Sequence, residues 1–215
     1  YQQIAQTTLS SLDMSTVLDR LGEHIVNAGI FRSLAISLPD YESNCVEVVR
    51  NIRRLNDGSL KFGVPDAGKE CPLDSSNILA ETVRTGETQV IVGWDERFDA
   101  QYHRYYDKQI SYFIPVKQEE QVVAVLATGS TIEEKAETLR RIDALPYLLD
   151  QFAIALEHAR LYEDIQKEIR ERKRAEQEVQ RQKEWLEVSL SSIGDAVLAT
   201  DTSNRVLFMN PVAEA

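Results

Sequence analysis

Between Tyr147 and Ile193 the chain contains no glycine and no proline, and nearly every third residue is charged. Those 47 residues, fully helical at about 1.5 Å per residue, make a rod roughly 70 Å long. A globular domain of ordinary size has little use for such a rod. A protein that must hold two modules apart, and pass a twist or shift between them, does.

The sequence before the rod alternates helical and strand patterns. Residues 1–30 read as helix. Ile4, Leu9 and Leu12 open it, Asp13 or Ser15 caps a second segment, and Val17, Leu18, Leu21, Ile25 and Val26 recur at helical spacing up to Gly29. Strand patterns follow: Ser33 to Leu38, stopping at Pro39-Asp40; Val46, Val48 and Ile52, up to Asn56-Asp57-Gly58; and Leu60, Phe62 and Val64. Ser75 or Ser76 caps a helix through Ile78, Leu79 and Val83 that closes at Gly86, and Gln89 to Val92 is a short strand. From Gly93 to Gln109 there is no clear period, only Trp94, Phe98, Tyr102, Tyr105 and Tyr106, which reads as an irregular lid. Two strong strands, Ser111 to Val116 and Val122 to Ala127, form a hairpin; the chain is helical from Ile132, and Pro146 kinks or restarts the helix. The fold class is α+β: one mostly antiparallel sheet with a helical layer, extended by the long helix.

With 215 residues and 43% hydrophobic content, the chain has room for one cored domain and extensions. No apolar run approaches the roughly 18 residues of a membrane span, and no signal-peptide pattern opens the sequence. Its first residue, Tyr1, and its abrupt end at Asn210 to Ala215 read as a piece of something longer. A net charge of −11 speaks against nucleic acid, which needs a basic face. Between Glu163 and Glu187 there are seven Lys/Arg and eight Asp/Glu, so the rod is nearly neutral and the acidity lies elsewhere. Two distant cysteines, Cys45 and Cys71, make no disulfide framework and suit a reducing, cytoplasmic setting.

Several segments carry a family likeness. Pro72-Leu73-Asp74 leading into the helix, then Thr85-Gly86-Glu87-Thr88-Gln89-Val90-Ile91-Val92, and the hairpin Tyr112-Phe113-Ile114-Pro115-Val116 to Val122-Val123-Ala124-Val125-Leu126 resemble a GAF domain over roughly residues 8–160. Gln89 stands where the family usually has proline and Ala124 where glycine is commoner. Beyond the rod, Leu190 to Asp201 and Arg205 to Glu214 resemble the opening of a PAS domain, with only its first two strands present. Glu171-Arg172-Lys173-Arg174-Ala175-Glu176 resembles the signalling helices that join such modules in bacterial histidine kinases and cyclic-di-nucleotide enzymes. The resemblance implies three parts: a GAF-like sensor domain at 1–160, a coiled-coil signalling helix at 161–189, and a truncated PAS start at 190–215.

In heptads, Ile165, Arg172, Val179, Leu186 and Ile193 fall on one set of core sites and Ile169, Glu176, Lys183 and Leu190 on the other. The seam is apolar at both ends and polar in the middle, which fixes register at a cost in stability and suits a switch. A parallel homodimer follows, with the molecule itself as its partner. The alternative is a solvated single helix held by pairs such as Glu163–Lys167 and Glu168–Arg172, each worth about 0.2–0.5 kcal/mol.

His24, His103 and His158 lie far apart, without metal spacing. Cys71 lacks the following histidine of bilin-attaching relatives, so no chromophore link is expected. Gly93 to Asp99 matches only loosely the acidic-aromatic motif of the cyclic-nucleotide-binding branch, and that ligand does not carry over. There is no nucleophile elbow, phosphate-cradling glycine loop or paired-carboxylate signature. The expectation is a regulatory fragment with no catalytic residue, metal or cofactor. Trp94, Phe98, Tyr102, His103 and Tyr112 are the candidate lining of a small-molecule pocket; the alternative is that the aromatics fill space between lid and sheet. A histidine kinase is the expected parent, with a diguanylate cyclase regulator or a ligand-free dimerisation scaffold as alternatives. An enzyme like the sulfoxide-reducing relatives would need cysteines gathered at one pocket, and Cys45 and Cys71 read as lying on segments set apart.

Overall fold

The structure, a computed structural model, describes residues 13–63, 70–98 and 109–214. Ile4, Leu9, Leu12 and Val64, and the lid residues Tyr102, His103, Tyr105 and Tyr106, lie outside them.

Helix α1 spans Met14–Asn27. It starts where Asp13 Oδ2 accepts a 2.8 Å hydrogen bond from the Thr16 backbone N–H, satisfying one of the orphan donors of the first turn. It ends before Gly29, whose φ of +69° turns the chain so that Ile30 N–H reaches Ile25 O at 3.1 Å. The face that the 3.6-residue period collects, Val17, Leu18, Leu21, Ile25 and Val26, is buried.

The sheet contains β1 (Ser33–Asp40), β2 (Cys45–Arg54), β3 (Leu60–Phe62), β4 (Glu70–Pro72), β5 (Gln89–Val92), β6 (Ile110–Gln118) and β7 (Gln121–Ser130). Its order is β3-β2-β1-β7-β6-β5, with β4 also on β2, and every pairing is antiparallel. Pro39 lies inside β1 rather than ending it. Beyond Ser37, β1 no longer pairs with β7, so on that side there is no ladder for the missing N–H to break.

Helix α2 (Ile78–Thr85) is capped by Asn77, whose Oδ1 accepts from Leu79 N–H at 2.9 Å. Neither serine takes that place: Ser75 Oγ instead donates to Pro72 O at 2.6 Å and shapes the preceding turn. Gly86 closes α2 in the left-handed region at φ +61°. Helix α3 (Lys135–Asp143) starts three residues later than Ile132, and α4 (Pro146–Ser191) restarts at Pro146, where the first helical position has no intrahelical use for an N–H. The glycine- and proline-free run is therefore one unbroken helix up to Ser191, two residues short of its end at Ile193.

Two apolar layers sandwich the sheet. On one face α1, α3 and the start of α4 pack Leu21, Ile25, Ile142, Leu148, Phe152 and Leu156 onto Leu34, Ile36, Ile52 and Ile114. On the other, α2 packs Ile78, Leu79 and Val83 onto Val46, Phe113, Val122 and Val125. Helical cover thus lies on both faces, and strand alternation decides which side chain meets which layer.

The chain divides into two compact units, Tyr1–Glu163 and Asp164–Ala215, and the division falls within α4. In the second unit the helix is followed by β8 (Leu198–Thr200) and β9 (Val206–Met209), an antiparallel hairpin, and by a short turn of helix, α5 (Pro211–Glu214). Asp201 Oδ1 shapes the hairpin turn by accepting from Ser203 and Arg205 N–H at 2.8 and 2.9 Å. Among the described residues no helix is long and apolar enough to cross a membrane.

Candidate ligand site and helical seam

The α2 face of the sheet brings together part of the expected aromatic lining. Gly93, at φ +77°, turns the chain out of β5, and its N–H donates to Gln109 O at 2.9 Å. The next residues are held to α2 by Arg97. Its guanidinium donates from Nε and Nη2 to the two Asp95 carboxylate oxygens at 2.8 and 2.9 Å, and from Nη1 to Glu81 Oε2 at 2.8 Å. A two-oxygen fork on one carboxylate and a second carboxylate beyond it is the geometry a planar guanidinium serves best. Hydrogen bonding to Arg97 holds the Asp95 carboxyl below its ordinary range, and the two carboxylates raise Arg97 above its own. Main-chain bonds reinforce the clasp: Ile78 N–H reaches Arg97 O at 3.3 Å, and Phe98 N–H reaches Asp95 O at 3.0 Å.

Clasped this way, Phe98 is 8% exposed, its ring 5.8 Å from that of Phe113 with the planes tilted by 45°. Trp94 is half-buried against the same cluster. Tyr112 does not join them. It is fully buried on the opposite face of β6, in the layer under α1 and α4, and its hydroxyl shares a 2.9 Å hydrogen bond with Ser130 Oγ. Strand alternation is the reason: Phe113 faces α2, so its neighbour must face away. Tyr112 is a core residue, and Tyr102 and His103 are outside the described residues.

One polar group on the α2 side was not legible in sequence. Ser37 pairs with Val48 and Val125, which face that layer, and its Oγ is fully buried with no hydrogen-bond partner among the described residues. An orphaned buried hydroxyl costs about 1–3 kcal/mol. A serine inside a strand gives no sequence signal of this.

The cysteines correct the expectation that they lie on segments set apart. β2 and β4 are neighbours, and Val46 faces Cys71 across them, with Cys45 one residue along. That single-residue offset sends the sulfurs to opposite faces of the sheet, and neither is in a disulfide. His24 is half-buried on α1 and His158 exposed on α4. Among the described residues no group of three His, Cys, Asp or Glu side chains could hold a metal ion.

Along α4 the apolar seam residues are open to solvent: Ile165 is 53% exposed, Ile169 41%, Val179 52% and Leu186 49%; Ile193 lies two residues beyond the helix end at Ser191, so the helical seam does not extend to it. Leu190 is half-buried, and Arg172, Glu176 and Lys183 are exposed. Arg172 Nε pairs forward with Glu176 Oε1 at 2.9 Å rather than back with Glu168, so two polar seam residues are each other's partners.

No protein-family model matches the chain, and no curated protein does. Solved structures do. The GAF domain of an Acinetobacter phosphoenolpyruvate-protein phosphotransferase is 17% identical with a TM-score of 0.51, over 74% of this chain and 92% of that one. The GAF domain of the Coxiella burnetii phosphoenolpyruvate-protein phosphotransferase is 13% identical with a TM-score of 0.54, over 74% and 92%. A free methionine-R-sulfoxide reductase from Neisseria meningitidis, in complex with its substrate, is 15% identical with a TM-score of 0.51, over 74% and 87%. At such identities the likeness is one of architecture: the sheet with its two helical layers has the GAF fold.

Proposed function

We propose that this chain is a cytoplasmic sensor and dimerisation fragment of a signalling protein. In this reading residues 1–160 form the sensor, 161–189 a parallel two-stranded coiled coil, and 190–215 the start of a PAS domain. The coil relays the sensor's state to that module and to an output beyond it, and the fragment itself is regulatory rather than catalytic. The observation that carries the reading is the seam: Ile165, Ile169, Val179 and Leu186 are apolar, at heptad spacing on α4, and each at least 41% exposed in the single chain. An isolated helix gains nothing from that stripe, whereas a second copy buries it. A histidine kinase is the parent proposed by analogy with the signalling-helix sequence, ahead of a diguanylate cyclase.

The sensor's ligand, in this reading, is a small and mainly apolar molecule resting on the α2 face, with one polar group directed at Ser37. The partnerless Ser37 hydroxyl supports it. The packing of Phe98 on Phe113 favours the second reading, a scaffold that dimerises without a ligand. Sedimentation equilibrium at tens of micromolar tests the part common to both. A dimer is expected; a monomer overturns both readings.

A further inference from the structure

Among the described residues of the second unit a single one is buried, and it is polar: Asn210, with no exposed surface. It stands where β9 ends and α5 begins, and its side chain reaches three pieces of chain. Oδ1 accepts from Val197 N–H at 2.9 Å, just before β8, and from Ala213 N–H at 3.0 Å in α5. Nδ2 donates one hydrogen to Asp195 O at 2.9 Å and shares the other between Leu190 O, in the last turn of α4, and Ile193 O, just beyond it, at 3.4 Å each. Its own N–H donates to Val197 O at 3.1 Å. The apolar residues nearby cannot provide such a junction, since Leu198, Val206 and Leu207 are 54%, 51% and 69% exposed.

The two ends of one carboxamide thus serve different elements. The donor end ties down carbonyls of the last turn of α4 and the linker, and the acceptor end ties down amides of the hairpin and α5. A carboxamide is rigid and planar, so displacement of the helix end is felt at β8 without any slack of side-chain packing. We propose that Asn210 is a positioning residue that couples the C-terminal turn of α4 to the hairpin β8–β9. The use of that coupling rests on the relay reading above, but its geometry does not, and sedimentation does not bear on it.

Two substitutions in the whole chain separate the two ends, read by amide hydrogen exchange at neutral pH. Asn210→Ala removes both, so amides at 189–192 and that of Val197 should exchange faster, by about tenfold or more, while the Ala213 N–H keeps its 2.9 Å bond to Asn210 O. Asn210→Asp keeps an acceptor for Val197 and Ala213 but turns a carboxylate oxygen toward three carbonyls. It should speed exchange at 189–192 alone. The proposal is overturned if Asn210→Ala leaves 189–192 protected. It is equally overturned if Asn210→Asp strips the hairpin and the helix end alike, because the residue would then only hold the fold together.

Discussion

Asp95 and Phe98 show how single residues set the character of the α2 face. The Asp95 carboxyl is held below 3.8, its ordinary value, chiefly by its hydrogen bond with Arg97. The ionised form is therefore favoured by folding, and its contribution is complete above the unfolded value and lost as pH falls through the lower folded one. Urea midpoints measured from pH 6 down to pH 3 should fall more steeply for the native chain than for Asp95→Asn, which has no charge to lose there. Equal slopes would mean that the clasp adds nothing to stability. Phe98, 8% exposed and set on Phe113, behaves as core. Phe98→Ala should cost about 3–5 kcal/mol in chemical denaturation of the ligand-free protein. Unchanged stability without ligand would return Phe98 to a ligand-gripping role. Gly22 shows a third kind of constraint, since a Cβ there would stand 1.8 Å from Ile52 Cδ1, where α1 sits close on β2.

Elements with long, regular patterns were legible; those that depend on partners distant in sequence were less so. The period of α1, the hairpin β6–β7 and the unbroken α4 could all be read from spacing, because periodic burial leaves its mark residue by residue. The adjacency of β2 and β4 could not, since a three-residue strand has too few positions to declare its neighbour, and with it went the nearness of Cys45 and Cys71. Of the aromatic candidates, Tyr112 stands on a strand and is core, as its strand position favours, but aromatic composition, unlike alternation, does not say which side of a strand a ring occupies. The seam of α4 carries its own prediction. Replacing Arg172, Glu176 and Lys183 together by leucine should raise the melting temperature of the proposed dimer, as packed apolar groups take the place of polar ones. For a chain of this length each kcal/mol is worth about 2–4 °C, which calorimetry resolves. An unchanged melting temperature would mean that those positions do not face a partner.

In the molecule as a whole, two apolar layers on one sheet give the first unit its core, whereas Asn210 alone is buried among the described residues of the second. The helix crosses the division between the units at Glu163–Asp164 without a glycine, a proline or a break in its hydrogen bonds. Its length is consequently not free to drift. Each added residue turns the rest of the helix by about 100°, so one or two extra residues would carry Val179 and Leu186 off the stripe that begins at Ile165. Seven residues return the stripe nearly to phase, while three or four over- or underwind it. In descendants of this chain, insertions within α4 should therefore survive in sevens far more readily than singly, so that the helix is measured in whole repeats where the loops around it are not.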